Sequence, residues 1–520
     1  MDLIVILIPL LPFTAAAAIG VGHLFGWLDG EAGETTTVDI AVWAIILSSL
    51  LTLTLLGGDM MGKNAGSFSV GQWLGSETLD IRVNFLTTGF GVVLAALFTI
   101  LLFIVMRFST NYMHKEAGFH RFFFILSLFS AAMLLLVLSG NAVGTFIGWE
   151  IAGLCSYLLI AYYYERPVAA QNATRVFVTN RIGDAAFLLG IGLSYAWAGD
   201  VNWARLTSAS AQLSTGQATV IALCFAVAAC VKSAQIPFTP WLARAMEGPT
   251  PSSAIFYGAV MVHAGVYLLI LLEPIFEQAP LAMALVAVAG LLTAVYGFVV
   301  GLTQTDVKSS LVFATSGQLG LMFMECGLGF WQLASWHLCA HAVVRGYQVL
   351  VAPSLVHHVH DNPIKPVAPA IARMRWAYVA SLQRFWLDQI TDWTLVKPIR
   401  RLAHDLTYFD DHIVDRTLGV SAPAIRAIST LAQLEEQKIG ARLDNEVDSF
   451  AQGSGLAGKI TEWAAAIMHW FEDSFVLRGI GKNAIRYGRQ LGYAANKVEL
   501  LLFSPRYLVL FIFITLLIAF

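Results

Sequence analysis

The chain has 520 residues, 57% of them hydrophobic and only 12% charged, against roughly 45–50% and about 25% in an ordinary soluble domain. That composition argues against a cytosolic enzyme. A net charge of −3 with no basic block leaves no electrostatic footprint for nucleic acid, which needs Lys and Arg clustered on one face.

A bilayer takes about 20 predominantly apolar residues per helix. The first stretch, about 3–26, has no basic residue before Lys63, so it reads as a first span rather than a cleaved signal peptide. Further spans are expected at about 38–57, 84–106, 121–140, 142–164, 171–198, 217–236, 250–272, 280–302, 308–327 and 330–356, with one more at about 505–520. The alternating ten-residue segments of a transmembrane barrel are absent. The expected fold is therefore an all-α polytopic transmembrane helix bundle of about 12 spans. Lys and Arg fall in every second loop: Arg107, Lys115 and Arg121, then Arg166, Arg244, Lys308, and finally Lys365, Arg373 and Arg375. The basic loops are expected to face the cytoplasm of a cell inner membrane, with the N-terminus outside.

Ionisable groups inside spans are expensive and by default mark an ion path. Span five carries Glu150 with no local Lys or Arg. In span six Arg181 and Asp184, at i and i+3, can pair on one face, as part of a path or as architecture. Lys232 in span seven precedes Pro237 by five residues, so a helix break is expected beside it, where freed backbone groups can hold water. His263 stands alone in span eight, which favours a structural histidine. His337, His341 and Arg345 recur every four residues in span eleven and form one stripe. Imidazoles one turn apart could relay protons, whereas Arg345 can only orient or gate.

The five cysteines lie in apolar stretches, with no C-x-x-C pair and no zinc-ligand spacing to histidine, and read as small buried hydrophobes. No metal site is expected, and without a G-x-G-x-x-G turn, a P-loop or a cysteine cluster no cofactor is expected either. The chain is not read as catalytic by itself.

Residues 1–360 hold 31 charged residues and 361–500 hold 33, so two materials meet near His360. The expected domains are a transmembrane region at 1–357, an amphipathic lateral or partner-docking segment at 358–504, and a membrane anchor at 505–520. Aromatics mixed with charges, as in Arg384-Phe385-Trp386-Leu387-Asp388 and Trp463 through Phe475, suit a membrane surface or partner helices. Phe409 to Gly419 returns 62 residues later as Phe471 to Gly481, which suggests two similar docking points or two chance-like amphipathic helices.

Ile147-Gly148-Trp149-Glu150-Ile151-Ala152-Gly153-Leu154-Cys155-Ser156-Tyr157, Lys232-Ser233-Ala234-Gln235-Ile236-Pro237 and Met246-Glu247-Gly248-Pro249-Thr250-Pro251-Ser252-Ser253 together resemble the antiporter-like membrane subunits of respiratory complex I, in the NuoL, MrpA and DabB branch. Gln304-Thr305-Asp306-Val307-Lys308 and Ser316-Gly317-Gln318-Leu319-Gly320 continue the likeness, which is strong over about 120–350. The resemblance implies a proton path in which Glu150 and Lys232 couple electrostatically, Asp184 partners the carboxylate, and His337 and His341 lead toward the exit. It also implies departures: Arg345 stands where a second channel lysine is usual, Tyr257 where a span-eight histidine is frequent, and the spans usual after the eleventh are replaced by the charged segment.

Two functions are weighed on that resemblance. The first is a DabB-like proton-conducting subunit in an obligate hetero-complex with a large soluble zinc-containing DabA-like partner, energising inorganic carbon uptake. The second is a diverged NuoL-type proton-pumping subunit of an NADH:quinone oxidoreductase or membrane hydrogenase, beside other complex I-type membrane subunits. A structural anchor with a decayed channel would not explain why Glu150, Asp184, Lys232, His337 and His341 occur together.

Overall fold

The computed structural model describes residues 4–75, 80–304, 306–361 and 373–409. Its helices are α1 (Ile4–Leu24), α2 (Gly30–Met60), α3 (Phe90–Tyr112), α4 (Phe119–Leu138), α5 (Ala142–Ile160), α6 (Pro167–Ala198), α7 (Trp203–Ser208), α8 (Thr215–Lys232), α9 (Pro240–Arg244), α10 (Thr250–Ser253), α11 (Ala264–Leu271), α12 (Glu273–Glu277), α13 (Pro280–Gly301), α14 (Val307–Gly327) and α15 (Trp331–Asp361). Local chemistry sets their ends. The Asp29, Asn141 and Asp306 side chains accept backbone N–H groups at the starts of α2, α5 and α14, and Ser214 with Gln217 forms a capping box on α8. Helix α6 opens on Pro167 and stops at Gly199, whose φ of 75° favours glycine.

Among the described residues nine segments are long and apolar enough to cross a membrane, from Ile4–Leu24 to Pro280–Gly301, with Thr250–Leu271 counted as one. Helices α14 and α15 fill the tenth and eleventh expected positions. The chain is an α-helical polytopic membrane protein. The expected spans fall on these helices, with shifted ends: the helix of span two begins at Gly30 rather than near 38, span three begins at Phe90 rather than near 84, and span seven ends at Lys232 rather than near 236. Residues Ser67–Gly75 and Asp80–Leu86 instead pair as an antiparallel hairpin, β1 and β2, whose Phe85 bridges Ser139 at the α4–α5 turn. The hairpin has no counterpart in the all-helical expectation.

Helix α4 and the Thr250–Leu271 segment lie at the centre, where α1 and α5 pack on α4, α6 packs on α8, and α14 lies between α13 and α15. Close packing of α13 on α14 depends on glycine. A Cβ at Gly290, Gly297 or Gly320 would run into the facing helix backbone, so only glycine allows that approach. The outer face of α13, with Leu281, Leu285, Val288, Leu291 and Val295, is exposed, as suits a lipid-facing surface.

Two spans are discontinuous. Helix α8 stops at Lys232, and the chain resumes helix only at Pro240. Span eight changes winding three times: α10 leads into a π-wound stretch, Ala254–Ala259, then a 3₁₀ turn, Met261–His263, then α11. The first break is the one that Pro237 implied. The second has no proline to announce it.

The chain divides into two compact units, Met1–Val396 and Lys397–Phe520. The first unit therefore continues past the charge step near His360. Residues 375–396 fold onto it: Ser381 Oγ donates to Val299 O at 3.0 Å, Phe385 packs on Tyr296, and Arg384 lies over Phe313, 5.2 Å from the ring centroid. The second unit is described through one amphipathic helix, Lys397–Phe409. The rest of the repeated motif and the span at 505–520 lie outside the described residues.

Candidate functional site

Glu150, expected without a local cation, has one from another helix. Arg181 on α6 donates through Nη1 to Glu150 Oε2 on α5 at 2.7 Å, and its Nη2 lies 2.8 Å from Asp184 Oδ2, the i,i+3 partner expected from sequence. One guanidinium thus bridges two carboxylates, a geometry suited to its planar fork. The Trp149 indole donates to the other oxygen of Asp184 at 3.0 Å.

Lys232 is 1% exposed. Its Nζ donates to the Trp149 carbonyl oxygen at 2.9 Å and lies 4.8 Å from the Trp149 ring centroid. It makes no ion pair with Glu150. The two groups share a neighbourhood through Arg181 and Trp149, and a Cβ at Gly153 would lie 3.5 Å from Lys232 Nζ and 3.8 Å from Arg181 Nη2. The electrostatic relation expected between Glu150 and Lys232 therefore includes a third charge, Arg181.

The break after Lys232 is braced on several sides. Ser233 Oγ donates to Val262 O at 2.6 Å, the Ile236 N–H donates to Thr293 Oγ1 at 2.9 Å, and the Trp241 indole donates to Val231 O at 2.8 Å. Gln235 Oε1 is buried with no protein partner among the described residues, the kind of acceptor that holds water. Through Ser233 and Val262 the residue after Lys232 touches the residue before His263.

His263, expected to stand alone, does not: its Nε2 lies 2.9 Å from His341 Nδ1 on α15. His341 and His337 share one face of α15, with ring centroids 6.4 Å apart, and Arg345 follows on the same face, 8% exposed. The stripe read from sequence is present and gains a fourth member from span eight. Sequence reasoning missed Glu325, and named Gln318 only within a motif and not as a site residue; both lie on α14 and flank His337, whose Nδ1 is 2.9 Å from Glu325 Oε1 and whose Nε2 is 2.8 Å from Gln318 Oε1. A signal was available. A tight turn through Gly329 joins α14 to α15, and Glu325 and His337 lie equally far on either side of Trp331, where antiparallel helices bring residues together.

The described residues thus hold two polar groupings, Arg181 with Glu150, Asp184 and Lys232, and His263 with His341, His337 and Glu325, linked through the Ser233–Val262 bond. Among the described residues no three His, Cys, Asp or Glu side chains converge as a metal site.

The family model for NADH:quinone oxidoreductase/Mrp antiporter, TM, matches residues 139–369, and that for NADH-Ubiquinone oxidoreductase (complex I), chain 5 N-terminus, matches 73–123. The chloroplastic NAD(P)H-quinone oxidoreductase subunit 5 of Zygnema circumcarinatum is 36% identical over 359 residues, covering 68% of this chain and 51% of that protein. NAD(P)H-quinone oxidoreductase chain 5 of a Picosynechococcus species is 36% identical over 366 residues, covering 68% and 54%. The solved Mrp complex from Dietzia sp. DQ12-45-1b matches with a TM-score of 0.60 at 26% identity, covering 68% of this chain and 38% of that one. The archaeal membrane-bound sulfane sulfur reductase shares the fold, with a TM-score of 0.56 at 20% identity, covering 67% and 70%. The chain belongs to the antiporter-like membrane subunits shared by complex I and Mrp. Within them it is of the NuoL, or chain 5, type. It spans about half the length of the curated relatives it matches.

Proposed function

We propose that this chain is a proton-translocating subunit of a multisubunit complex of the NADH:quinone oxidoreductase or Mrp kind. Of the two functions weighed on sequence, this is the second. The comparisons back it in place of a DabB-like role in inorganic carbon uptake, and they give no support to a zinc-bearing DabA-like partner.

The observation that carries the reading is Lys232: a buried lysine beside a helix break, near Arg181 and the two carboxylates that Arg181 bridges, Glu150 and Asp184. A buried ionisable group of this kind is costly, and in a membrane protein it points to an ion pathway. Proton loading at Lys232 would answer to any movement of Glu150, Asp184 or Arg181, because burial weakens screening. His263, His341 and His337 would continue the path, with Arg345 orienting it. The membrane is taken to be the cell inner membrane, with the N-terminus outside.

The test is substitution within the full complex. Lys232→Ala and Glu150→Ala are each expected to abolish uncoupler-sensitive activity while the complex still assembles. Full uncoupler-sensitive activity in either variant overturns the path assignment. Co-purification from native membrane tests the partner: flavin and iron–sulfur subunits, or Mrp-type membrane subunits, are expected, and one large soluble zinc protein would restore the first reading.

A further inference from the structure

We propose that Glu325 is the terminal proton-exchanging carboxylate of this chain, connecting the histidine line to water at the membrane face where α14 turns into α15. The inference rests on the proton-path reading above and extends it to a residue outside the motifs that suggested it.

Position comes first. Glu325 lies in the last turn of α14, whereas Lys308 lies in the first, in the basic loop region assigned to the opposite face. At 1.5 Å per residue the two are about 25 Å apart along the helix, close to the thickness of the hydrocarbon layer. The Glu325 side chain is 13% exposed and His337 20%, so the pair is sheltered without being sealed.

Chemistry comes second. Both ring nitrogens of His337 are engaged, Nε2 by Gln318 Oε1 at 2.8 Å and Nδ1 by both oxygens of Glu325 at 2.9 and 3.1 Å. The Gln318 carbonyl oxygen can only accept, so it holds a proton on Nε2. The exchangeable proton then lies on the Nδ1 side, facing the carboxylate. In the transfer step the N–H bond at Nδ1 of an imidazolium breaks and an O–H bond forms on Glu325. The products are a neutral imidazole and a neutral carboxylic acid. The acid then gives its proton to water and returns to carboxylate, and the steps run equally in reverse. His341 lies on the inner side: its Nδ1 is 2.9 Å from His263 Nε2, and its ring centroid is 6.4 Å from that of His337.

A purely structural clasp between α14 and α15 would need only a hydrogen bond, so the test separates hydrogen bonding from titration. Sealed membrane vesicles carrying the complete complex are given a potassium diffusion potential, and lumenal pH is followed with a dye. Glu325→Gln, which keeps shape and hydrogen bonding, is expected to slow proton flux about tenfold or more. Glu325→Asp is expected to keep several times more flux than Gln. Wild-type flux in Glu325→Gln overturns the proposal. Lys232→Ala is run in parallel: normal flux there fails the path reading itself, whereas loss there with normal Glu325→Gln flux fails only this inference. If Glu325→Gln does not assemble, carbodiimide, which attacks protonated carboxyls, is applied to the unaltered complex. Modification of Glu325 with parallel loss of flux is expected. Absence of modification, or modification with full flux, overturns the assignment.

Discussion

Arg181 is the residue on which the charged site turns. Its side chain is 38% exposed, yet it holds Glu150 from one helix and Asp184 from its own. Truncating one partner of a sheltered charge pair leaves the others uncompensated, which costs more than the pair contributes. Arg181→Ala is therefore expected to lower the thermal stability of the solubilised complex. Arg181→Lys, a point charge without the planar fork, is expected to keep one carboxylate and lose the other. Proton flux should then fall in Lys as well as Ala, and equal flux in wild type and Arg181→Lys would reduce the fork to a simple positive charge. The Arg181–Asp184 contact was legible because helical spacing alone implies it. The Arg181–Glu150 contact was not, because the two lie 31 positions apart on different helices, and no local period carries that information. His263 shows the same limit: its sequence neighbours give no hint of His341, 78 residues away.

Among elements, breaks and close approaches matter more than span count. The α8 break was readable from Pro237, because proline removes a backbone donor and clashes one turn back. The rewinding of span eight was not, since Ala254-Ile255-Phe256-Tyr257-Gly258-Ala259 contains no helix breaker beyond one glycine. The β1–β2 hairpin also escaped, because a length-and-hydropathy rule for spans cannot see a short half-polar sheet between them. Helix α14 carries Gln318 and Glu325, and its seat on α13 depends on Gly297 and Gly320. Gly297→Ala would push a methyl into the Phe313 and Gly317 backbone, forcing the helices apart. Such overpacking costs about 1–3 kcal/mol, so less assembled complex and slower proton flux are expected. Gly192→Ala on α6, with nothing within 4 Å of the added Cβ, is the control and should behave as wild type. Equal yields for the two variants would mean that α13 and α14 can separate freely.

Across the compact unit, the stretch from 384 to 396 holds to the transmembrane helices by charge. Asp392 pairs with Arg175 at 2.8 Å and Asp388 with Arg244 at 3.4 Å, while Thr391 Oγ1 donates to Pro237 O at 3.4 Å beside the α8 break. Arg175→Asp alone is expected to expose this stretch to limited proteolysis, and Arg175→Asp with Asp392→Arg to protect it again. If the double variant is cut as fast as the single one, the ion pair does not fasten the segment. The step in charge near His360 was plain in the composition. That its first part folds back on this chain was not, because amphipathic patterning looks the same whichever surface covers it.

The bond from Lys232 to the Trp149 carbonyl has one further consequence. A backbone carbonyl carries no ionisable proton and accepts from an ammonium and, more weakly, from a neutral amine, so this tether can persist through both halves of a protonation cycle. No substitution of the Trp149 side chain removes that acceptor. Lys232 is thus anchored in place while its charge changes, and whatever reads that charge must do so through the field it casts on its neighbours rather than through a swing of the side chain.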